Sequence, residues 1–193
     1  NPETIGGLSL YEKLLISAFQ SVSPRTAGFN SIDLAALTDS SKYLIILLMF
    51  TGGSPASTAG GVKTTTLAVL LLTAAAFVRN KDVEAYGRRI NYSVVNKAMT
   101  IVIIAFIIII AGSMALSLLN PEMDFVDIIF EVVSAFGTVG LTLGITTQFD
   151  TASKLVLVII MFAGRVGALT IVMALAGRTK KVEYQLPEGE VIL

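Results

Sequence analysis

Residues 26–29 read Thr-Ala-Gly-Phe, and residues 138–141 read Thr-Val-Gly-Leu, 112 positions later. The same offset relates residues 49–52 (Met-Phe-Thr-Gly) to residues 161–164 (Met-Phe-Ala-Gly) without a gap. Self-similarity at a fixed spacing indicates a repeated structural unit. In each copy a partly apolar stretch precedes the Thr-x-Gly turn, and polar residues and a long apolar segment follow it. We predict that each unit is a short helix, a glycine turn and a membrane helix, the layout of a pore loop.

Composition indicates a membrane protein. Apolar residues make up 54% of the 193 residues, charged residues 15%, and the mean hydropathy is +0.78. A soluble domain of this length needs a larger charged surface. The chain has no Cys and no His, which excludes disulfides, thiolate metal sites and the commonest general base. A net charge of +0 gives no indication of a nucleic-acid partner. The chain begins at Asn1 without an initiator Met, so we expect it to be part of a longer protein.

The apolar segments predict the fold class. Residues 94–118 and 153–176 are long enough to cross a hydrocarbon core of about 30 Å at about 1.5 Å per residue. Residues 10–23 and 125–136 have apolar side chains at helical spacing but are shorter, which suits re-entrant helices. We expect Asp124 to cap the second of these short helices. The predicted fold is an all-α membrane protein with two helix–pore-loop–helix repeats, one of whose second helices is broken.

The distribution of charge predicts the topology. Basic side chains cluster in residues 79–97 and 178–181, whereas residues 120–124 form an acidic turn. The positive-inside rule places the basic segments and the C-terminus in the cytoplasm. Both Thr-x-Gly turns then lie near the outer face. We expect a multi-pass protein of the plasma membrane, in contact with the lipid bilayer.

The two Thr-x-Gly turns are predicted to bind ions through their backbone. A dehydrated cation needs replacement oxygens, and carbonyl dipoles supply these without a net charge that would trap the ion. Glycine adopts the unusual dihedral angles that turn successive carbonyls toward one lumen. An ordinary turn after a helix is the alternative interpretation, and the constant offset argues against it. The predicted ion-binding residues are Thr26, Ala27, Gly28, Phe29, Thr138, Val139, Gly140 and Leu141.

A glycine-rich break follows the apolar segment 42–51. Residues 52–61 contain four glycines and a proline, and we expect the helix to resume at Val62. Irregular backbone is tolerated at membrane depth only where protein buries it or it lines a wet cavity. The alternative is a kink that packs against a neighbouring helix, although a kink rarely needs four glycines.

Three charged residues lie near these elements. Arg165 is predicted near the middle of the second long apolar run, at the position that corresponds to Gly53. A charge there costs about 2.5–3.5 kcal/mol on insertion scales, so it needs partners. We predict that its guanidinium donates to carbonyls of residues 52–61, although an arginine that only ties helices together is the alternative. We expect Lys63 to extend toward the cytoplasm and Glu131 to cap backbone groups behind the turn.

Several motifs resemble the Trk/Ktr/HKT superfamily of K⁺ transport proteins. They are the single-glycine turns, the string Gly-Gly-Ser-Pro-Ala-Ser-Thr-Ala-Gly-Gly-Val-Lys-Thr at residues 52–64, and Gly-Arg-Val-Gly at residues 164–167. Within this superfamily the chain looks most like the membrane subunit of bacterial Ktr systems. That family has four helix–pore-loop–helix repeats, and the resemblance covers the last two. Asn30 and Thr142 stand where classical K⁺ channels have a second glycine, so we expect less strict selectivity for K⁺ over Na⁺.

The resemblance implies a division of the chain and a set of partners. It implies a third pore repeat at residues 1–79, a cytoplasmic linker at 80–93, a fourth repeat at 94–181 and a cytoplasmic tail at 182–193. The implied function is K⁺ translocation gated by an intramembrane loop, without a cofactor bound to this chain. The implied partners are two further repeats, from a preceding half or another copy, a second membrane subunit and a cytosolic nucleotide-binding ring. The gate residues would be Gly52, Gly53, Ser54, Ser57, Thr58, Gly60, Gly61, Lys63 and Arg165.

Two other functions remain open from sequence. A secondary transporter with alternating access would also contain broken helices, although the parallel orientation of the two loops favours a channel. An intramembrane enzyme would need a base, and Ser54 with Lys63 could imitate a Ser/Lys dyad, but no buried acid pair is visible. We therefore expect no enzymatic activity.

Overall fold

The computed structural model describes residues 2–167 of this mostly helical protein. Residues 168–176 of the predicted second crossing helix, the basic residues of 178–181 and the tail 182–193 lie outside the described residues. The described helices are α1 Leu10–Val22, α2 Asp39–Phe50, α3 Thr64–Val78, α4 Tyr92–Leu119, α5 Phe125–Gly137 and α6 Thr151–Val166. The strands are β1 Glu84–Ala85 and β2 Arg88–Arg89. A π-helical turn, Pro2–Gly6, and a 3-10 turn, Ile145–Thr147, complete the elements, so the expectation of a loop over residues 1–9 was wrong in part.

Polar side chains fix where several helices begin. Ser9 and Glu12 form a reciprocal capping box at α1. Asn91 accepts from the amide of Ser93 at α4, and Asp150 accepts from the amide of Ser153 at α6. Asp124 accepts from the amide of Val126 at 2.9 Å, which confirms its predicted role as the cap of α5.

Helix α4 has the length and composition of a membrane span. Its 28 residues have a mean hydropathy of 2.9, and in residues 2–167 it is the one helix that meets both criteria for crossing a membrane. Two predicted boundaries need correction. Helix α3 begins at Thr64 instead of Val62, because Val62 pairs with Thr51 in an isolated bridge. Helix α6 ends at Val166, since Gly167 has a φ of 91° and leaves the helical conformation.

The cytoplasmic linker predicted at residues 80–93 contains a hairpin that the sequence analysis did not anticipate. Strands β1 and β2 pair antiparallel. Tyr86 and Gly87 between them both have positive φ, 52° and 73°, as a two-residue type I′ turn requires. Arg89 forms an ion pair with Asp82 at 3.1 Å. The basic segment is therefore locally ordered and exposed.

Helix α5 forms the centre of the described structure. It packs against α2, α4 and α6, and its residues 130–137 are all buried. Phe130 and Phe136 are 0% and 2% exposed. In contrast, Gln20 is the one buried residue of α1, and α3 has none. Small residues allow close packing around α5: a Cβ atom on Gly164 would lie 1.8 Å from the carbonyl oxygen of Phe136.

The two copies correspond with a shift in register. Helices α1 and α2 correspond to α5 and α6, and the offset is 112 residues from the Thr-x-Gly turn onward. Within the preceding helix the offset is 111, because Ser23 and Ser134 bond the same relative carbonyl, that of Phe29 and that of Leu141. The gap-free repeat therefore holds only from Thr26 onward.

Candidate functional site

The two Thr-x-Gly turns have the same backbone conformation. Thr26 and Thr138 have φ of 71° and 52°, and Gly28 and Gly140 have φ of 75° and 91°. Positive φ at a threonine is uncommon and costs on the order of 1–3 kcal/mol, so the surroundings must hold it. The residue between each pair does not have positive φ. This alternation turns successive carbonyls toward one side of the chain.

The fold brings the two turns together although they are 112 residues apart. A Cβ atom placed on Gly28 would lie 2.2 Å from the carbonyl oxygen of Val139. No side chain fits between backbones at this separation. Gly28 is therefore required both for its left-handed conformation and for the close approach.

Six carbonyl oxygens of these turns have no internal partner. Within residues 2–167, no amide, hydroxyl or cationic group donates to the carbonyls of residues 26–28 or 138–140. Buried carbonyl oxygens are normally paired, so a group of unpaired ones side by side is unusual. These oxygens can bind a cation or water.

Side chains of the preceding helices hold each turn in place. The Ser134 hydroxyl donates to the carbonyl of Leu141 at 2.6 Å, and the Ser23 hydroxyl donates to the carbonyl of Phe29 and accepts from its amide at 3.0 Å. In both copies this leaves the three preceding carbonyls free. The sequence analysis missed both serines; each begins three residues after a long polar side chain, Gln20 or Glu131.

Glu131 is 5% exposed and binds the segment after the second turn. Its Oε1 accepts from the Thr142 hydroxyl and from the amide of Leu143 at 3.1 Å. Its Oε2 accepts from the Thr146 hydroxyl at 2.8 Å. The predicted backbone capping by Glu131 is present at Leu143, and the two threonine contacts were not predicted.

The break between α2 and α3 is an ordered loop with a closed neck, defined here as residues 52–61. The amide of Gly52 donates to the carbonyl of Val62 at 2.8 Å, and the amide of Thr64 donates to that of Gly53 at 3.3 Å. A Cβ atom on Gly52 would lie 2.1 Å from the carbonyl oxygen of Gly60. The neck therefore requires glycine.

The loop contacts the second turn directly. The amide of Gly60 donates to the Thr138 hydroxyl at 3.1 Å. A Cβ atom on Gly61 would lie 3.4 Å from the Cα of Gly137. The loop thus packs against the other copy, immediately beside the unpaired carbonyls.

Two cationic side chains donate to loop carbonyls. The guanidinium of Arg165 donates to the carbonyl of Thr58. The ammonium of Lys63 donates to the carbonyls of Ala59 and of Ser57, the latter at 3.5 Å. Lys63 thus turns back onto the loop, contrary to the expected extension away from it. Arg165 is exposed and lies next to the end of α6, so its predicted position near the middle of a helix was wrong.

A groove of about 620 Å³ runs along the second turn and α6. Its walls include Glu131, residues 138–142, Leu157, Met161, Phe162 and Arg165. The turn carbonyls and the Arg165 guanidinium thus border one space. In the described part of the chain no group of three or more carboxylates is placed to hold a metal ion, so backbone oxygens are the candidate ligands.

The structure brings most of the predicted site residues into one region. The two turns adjoin each other, the loop adjoins the second turn, and Arg165 contacts the loop. Ser54 and Ser57 bond to each other's residue within the loop, through the Ser57 hydroxyl and the Ser54 carbonyl at 2.6 Å, and neither approaches the turns through a hydrogen bond. Phe29 projects outward and is 69% exposed.

Comparison with known proteins identifies the family. Residues 3–182 match the TrkH family model, described as "Cation transport protein". The chain belongs to the TrkH family. It is 42% identical over 192 residues to the Ktr system potassium uptake protein B of Bacillus subtilis, with 99% of this chain and 43% of the relative covered. It is 40% identical over 188 residues to the potassium/sodium uptake protein NtpJ of Enterococcus hirae, with 94% and 42% covered.

A solved structure shows the same fold. The crystal structure of the potassium transporter TrkH from Vibrio parahaemolyticus matches with a TM-score of 0.77 at 22% sequence identity, covering 89% of this chain and 39% of that one. The chain thus spans about two fifths of the length of these TrkH-family proteins.

Proposed function

We propose that this chain forms half of a K⁺ pathway across the plasma membrane, in which the carbonyls of the two Thr-x-Gly turns bind the ion. The observation that carries the proposal is the group of six unpaired carbonyls on two turns of matching conformation, held side by side. Carbonyl oxygens replace the hydration shell of a cation without a net charge that would trap it. Transport of this kind involves no covalent chemistry.

The proposed substrate is K⁺, with Na⁺ as a second cation. The named functions of the two relatives, potassium uptake and potassium/sodium uptake, support this choice. Each turn carries a single glycine, followed by Phe29-Asn30 or Leu141-Thr142, so each offers few ordered carbonyls. A short filter discriminates less sharply between cations than a long one.

The loop of residues 52–61 is the proposed gate. It adjoins the second turn through Gly60 and is held by two cations, Lys63 and Arg165. Charge-assisted hydrogen bonds of this type are about twice as strong as neutral ones. Releasing them would free the loop, and the positive charges beside it oppose the passage of a cation while it is closed.

Two further repeats would complete the pathway. Lys42 of α2 forms a 2.8 Å ion pair with Asp127 of α5, joining the third repeat to the fourth. Lys154 is the counterpart of Lys42 on α6 and is exposed. By the same arrangement Lys154 would face the pore helix of an adjoining repeat, from a preceding half or another copy.

The surroundings of the chain follow from its exposed apolar faces. Leu14, Leu71, Phe77, Ile107 and Leu118 are all more than half exposed, as expected for faces covered by lipid or by other repeats. We place residues 80–93 and the C-terminus in the cytoplasm. There the exposed basic hairpin would meet a cytosolic nucleotide-binding ring, and a second membrane subunit would form a homodimer.

A carrier with alternating access is the second candidate, favoured by the broken helix α2–α3. The two functions differ in transport rate. Single-channel recording of the full-length protein in a bilayer would give discrete unitary currents for a channel, and none for a carrier.

The test of the proposed function uses Gly28→Ser and Gly140→Ser in the full-length protein, with uptake of K⁺ and Na⁺ measured separately. Both positions have left-handed φ, and Gly28 also has the Val139 carbonyl 2.2 Å from any added Cβ. We expect both variants to lose K⁺ over Na⁺ discrimination, Gly28→Ser more severely. Gly7→Ser is the matched control, because a Cβ there meets nothing within 4 Å. Unchanged selectivity in both variants would remove the turns from the ion path.

A further inference from the structure

Gln20 is a buried polar side chain without a protein partner. It is 8% exposed, and within the described residues neither its amide oxygen nor its amide nitrogen forms a hydrogen bond. Leaving a buried polar group unsatisfied costs about 1–3 kcal/mol. Most such groups in folded proteins bind protein or ordered water. The position of Gln20 therefore calls for a bound molecule.

The register of the two copies shows what Gln20 replaces. Residues 20–23 (Gln-Ser-Val-Ser) correspond to residues 131–134 (Glu-Val-Val-Ser), with the serine at the end of each bonded to the carbonyl after its turn. In the fourth repeat Glu131 accepts three hydrogen bonds from residues 142–146. In the third repeat Gln20 occupies the same place without any of these contacts.

A cavity of about 210 Å³ adjoins Gln20. It lies between α1, the N-terminal π-helical turn, the segment after the first turn, and α2. Its polar lining consists of Gln20 and the hydroxyl residues Thr4, Ser17, Ser21 and Ser41, and no charged residue lines it. A cavity with polar walls and this volume has room for several water molecules, each with two to four polar partners. The neutral lining favours water over an ion.

We propose that this cavity binds a cluster of ordered water molecules that joins the Gln20 amide to the segment after the first Thr-x-Gly turn. The water would supply the hydrogen bonds that Glu131 makes directly in the fourth repeat. Gln20 is then a positioning residue for the first turn, and the two turns are supported by different means. The consequence for ion selectivity rests on the proposed function, whereas the presence of water does not.

The direct test is a structure of the full-length protein at a resolution that orders internal water. We expect water density within hydrogen-bond distance of both the oxygen and the nitrogen of the Gln20 amide. A dry cavity, or one filled by a lipid chain or by a side chain from outside residues 2–167, would overturn the proposal.

The functional test compares Gln20→Leu with Ser113→Ala. Ser113 is also buried and its hydroxyl is also unpaired within the described residues, but it does not line this cavity. We expect K⁺ over Na⁺ discrimination to fall roughly fivefold in Gln20→Leu, the effect of about one lost hydrogen bond, and to stay unchanged in Ser113→Ala. Unchanged discrimination in Gln20→Leu would overturn the positioning role. If Gly140→Ser, measured alongside, also has no effect, the proposed function itself fails.

Discussion

The amide of Gly60 donates to the hydroxyl of Thr138 at 3.1 Å, and this bond joins the glycine-rich loop of one repeat to the carbonyl-bearing turn of the next. Gly60 is buried, and a Cβ atom on it would lie 2.5 Å from the Thr138 oxygen. Thr138 itself has left-handed φ. One strained residue thus shapes the turn and holds the loop, which couples the proposed filter to the proposed gate.

Replacing Thr138 with Val tests this coupling. Val keeps the β-branched shape but removes the acceptor, so the Gly60 amide loses its partner, at a cost of about 1–3 kcal/mol. We expect faster hydrogen exchange at Gly60 and higher K⁺ flux. Thr138→Ser keeps the hydroxyl and is the matched control. Unaltered exchange at Gly60 in Thr138→Val would show that the bond does not hold the loop.

Arg165→Gln tests whether the guanidinium stabilises the closed loop. Gln retains some hydrogen-bonding capacity but loses the charge-assisted bond to the Thr58 carbonyl, so we expect K⁺ flux to rise. Deleting several residues of the loop should also raise flux and weaken dependence on any regulatory subunit.

The double variant decides whether Arg165 and the loop act as one element. Combining Arg165→Gln with the loop deletion should add little to either change alone. Additive effects would mean that Arg165 acts elsewhere, as a static tie between helices. A fall in flux with normal insertion and folding would make the loop a structural kink or an essential binding element.

Glu131→Leu tests the support behind the second turn. The substitution removes the acceptor for two threonine hydroxyls and leaves the buried Leu143 amide unpaired, at a cost of about 1–3 kcal/mol. We expect lower thermal stability and weaker K⁺ over Na⁺ discrimination. Glu131→Gln keeps one acceptor oxygen and should lie between the two. Wild-type selectivity in Glu131→Leu would assign the carboxylate a purely structural role.

Gly164→Ala tests the packing of α6 on α5. The added Cβ would lie 1.8 Å from the Phe136 carbonyl oxygen, so the two helices must move apart. Overpacking of this kind costs about 1–3 kcal/mol. We expect a lower melting temperature in detergent than for the control Gly7→Ala, where nothing lies within 4 Å. Equal melting temperatures would contradict the close approach of these helices.

The sequence predicted the elements whose signals are local. The cap at Asp124, the short helices before each turn and the break after Phe50 all follow from nearby residues, and the structure contains them. The contact between Arg165 and the loop was also anticipated, because the repeat aligns Arg165 with Gly53.

The features that the sequence analysis missed depend on local geometry or on contacts between distant residues. The shift of one residue between Gln20 and Glu131 appears only when the bonds of Ser23 and Ser134 are compared. The side-by-side approach of Gly28 and Val139 requires the packing of both copies. The Tyr86-Gly87 turn lacks the Asn-Gly or Asp-Gly pair that usually marks a hairpin, so its strands gave no signal.

The central claim is that the carbonyls of the two turns bind the transported cation. Anomalous scattering from Rb⁺, a K⁺ substitute, in crystals of the full-length protein tests it most directly. We predict an ion peak within coordination distance of carbonyl oxygens of residues 26–28 and 138–140. Rb⁺ bound elsewhere, with these carbonyls paired to protein donors from the rest of the molecule, would contradict the account.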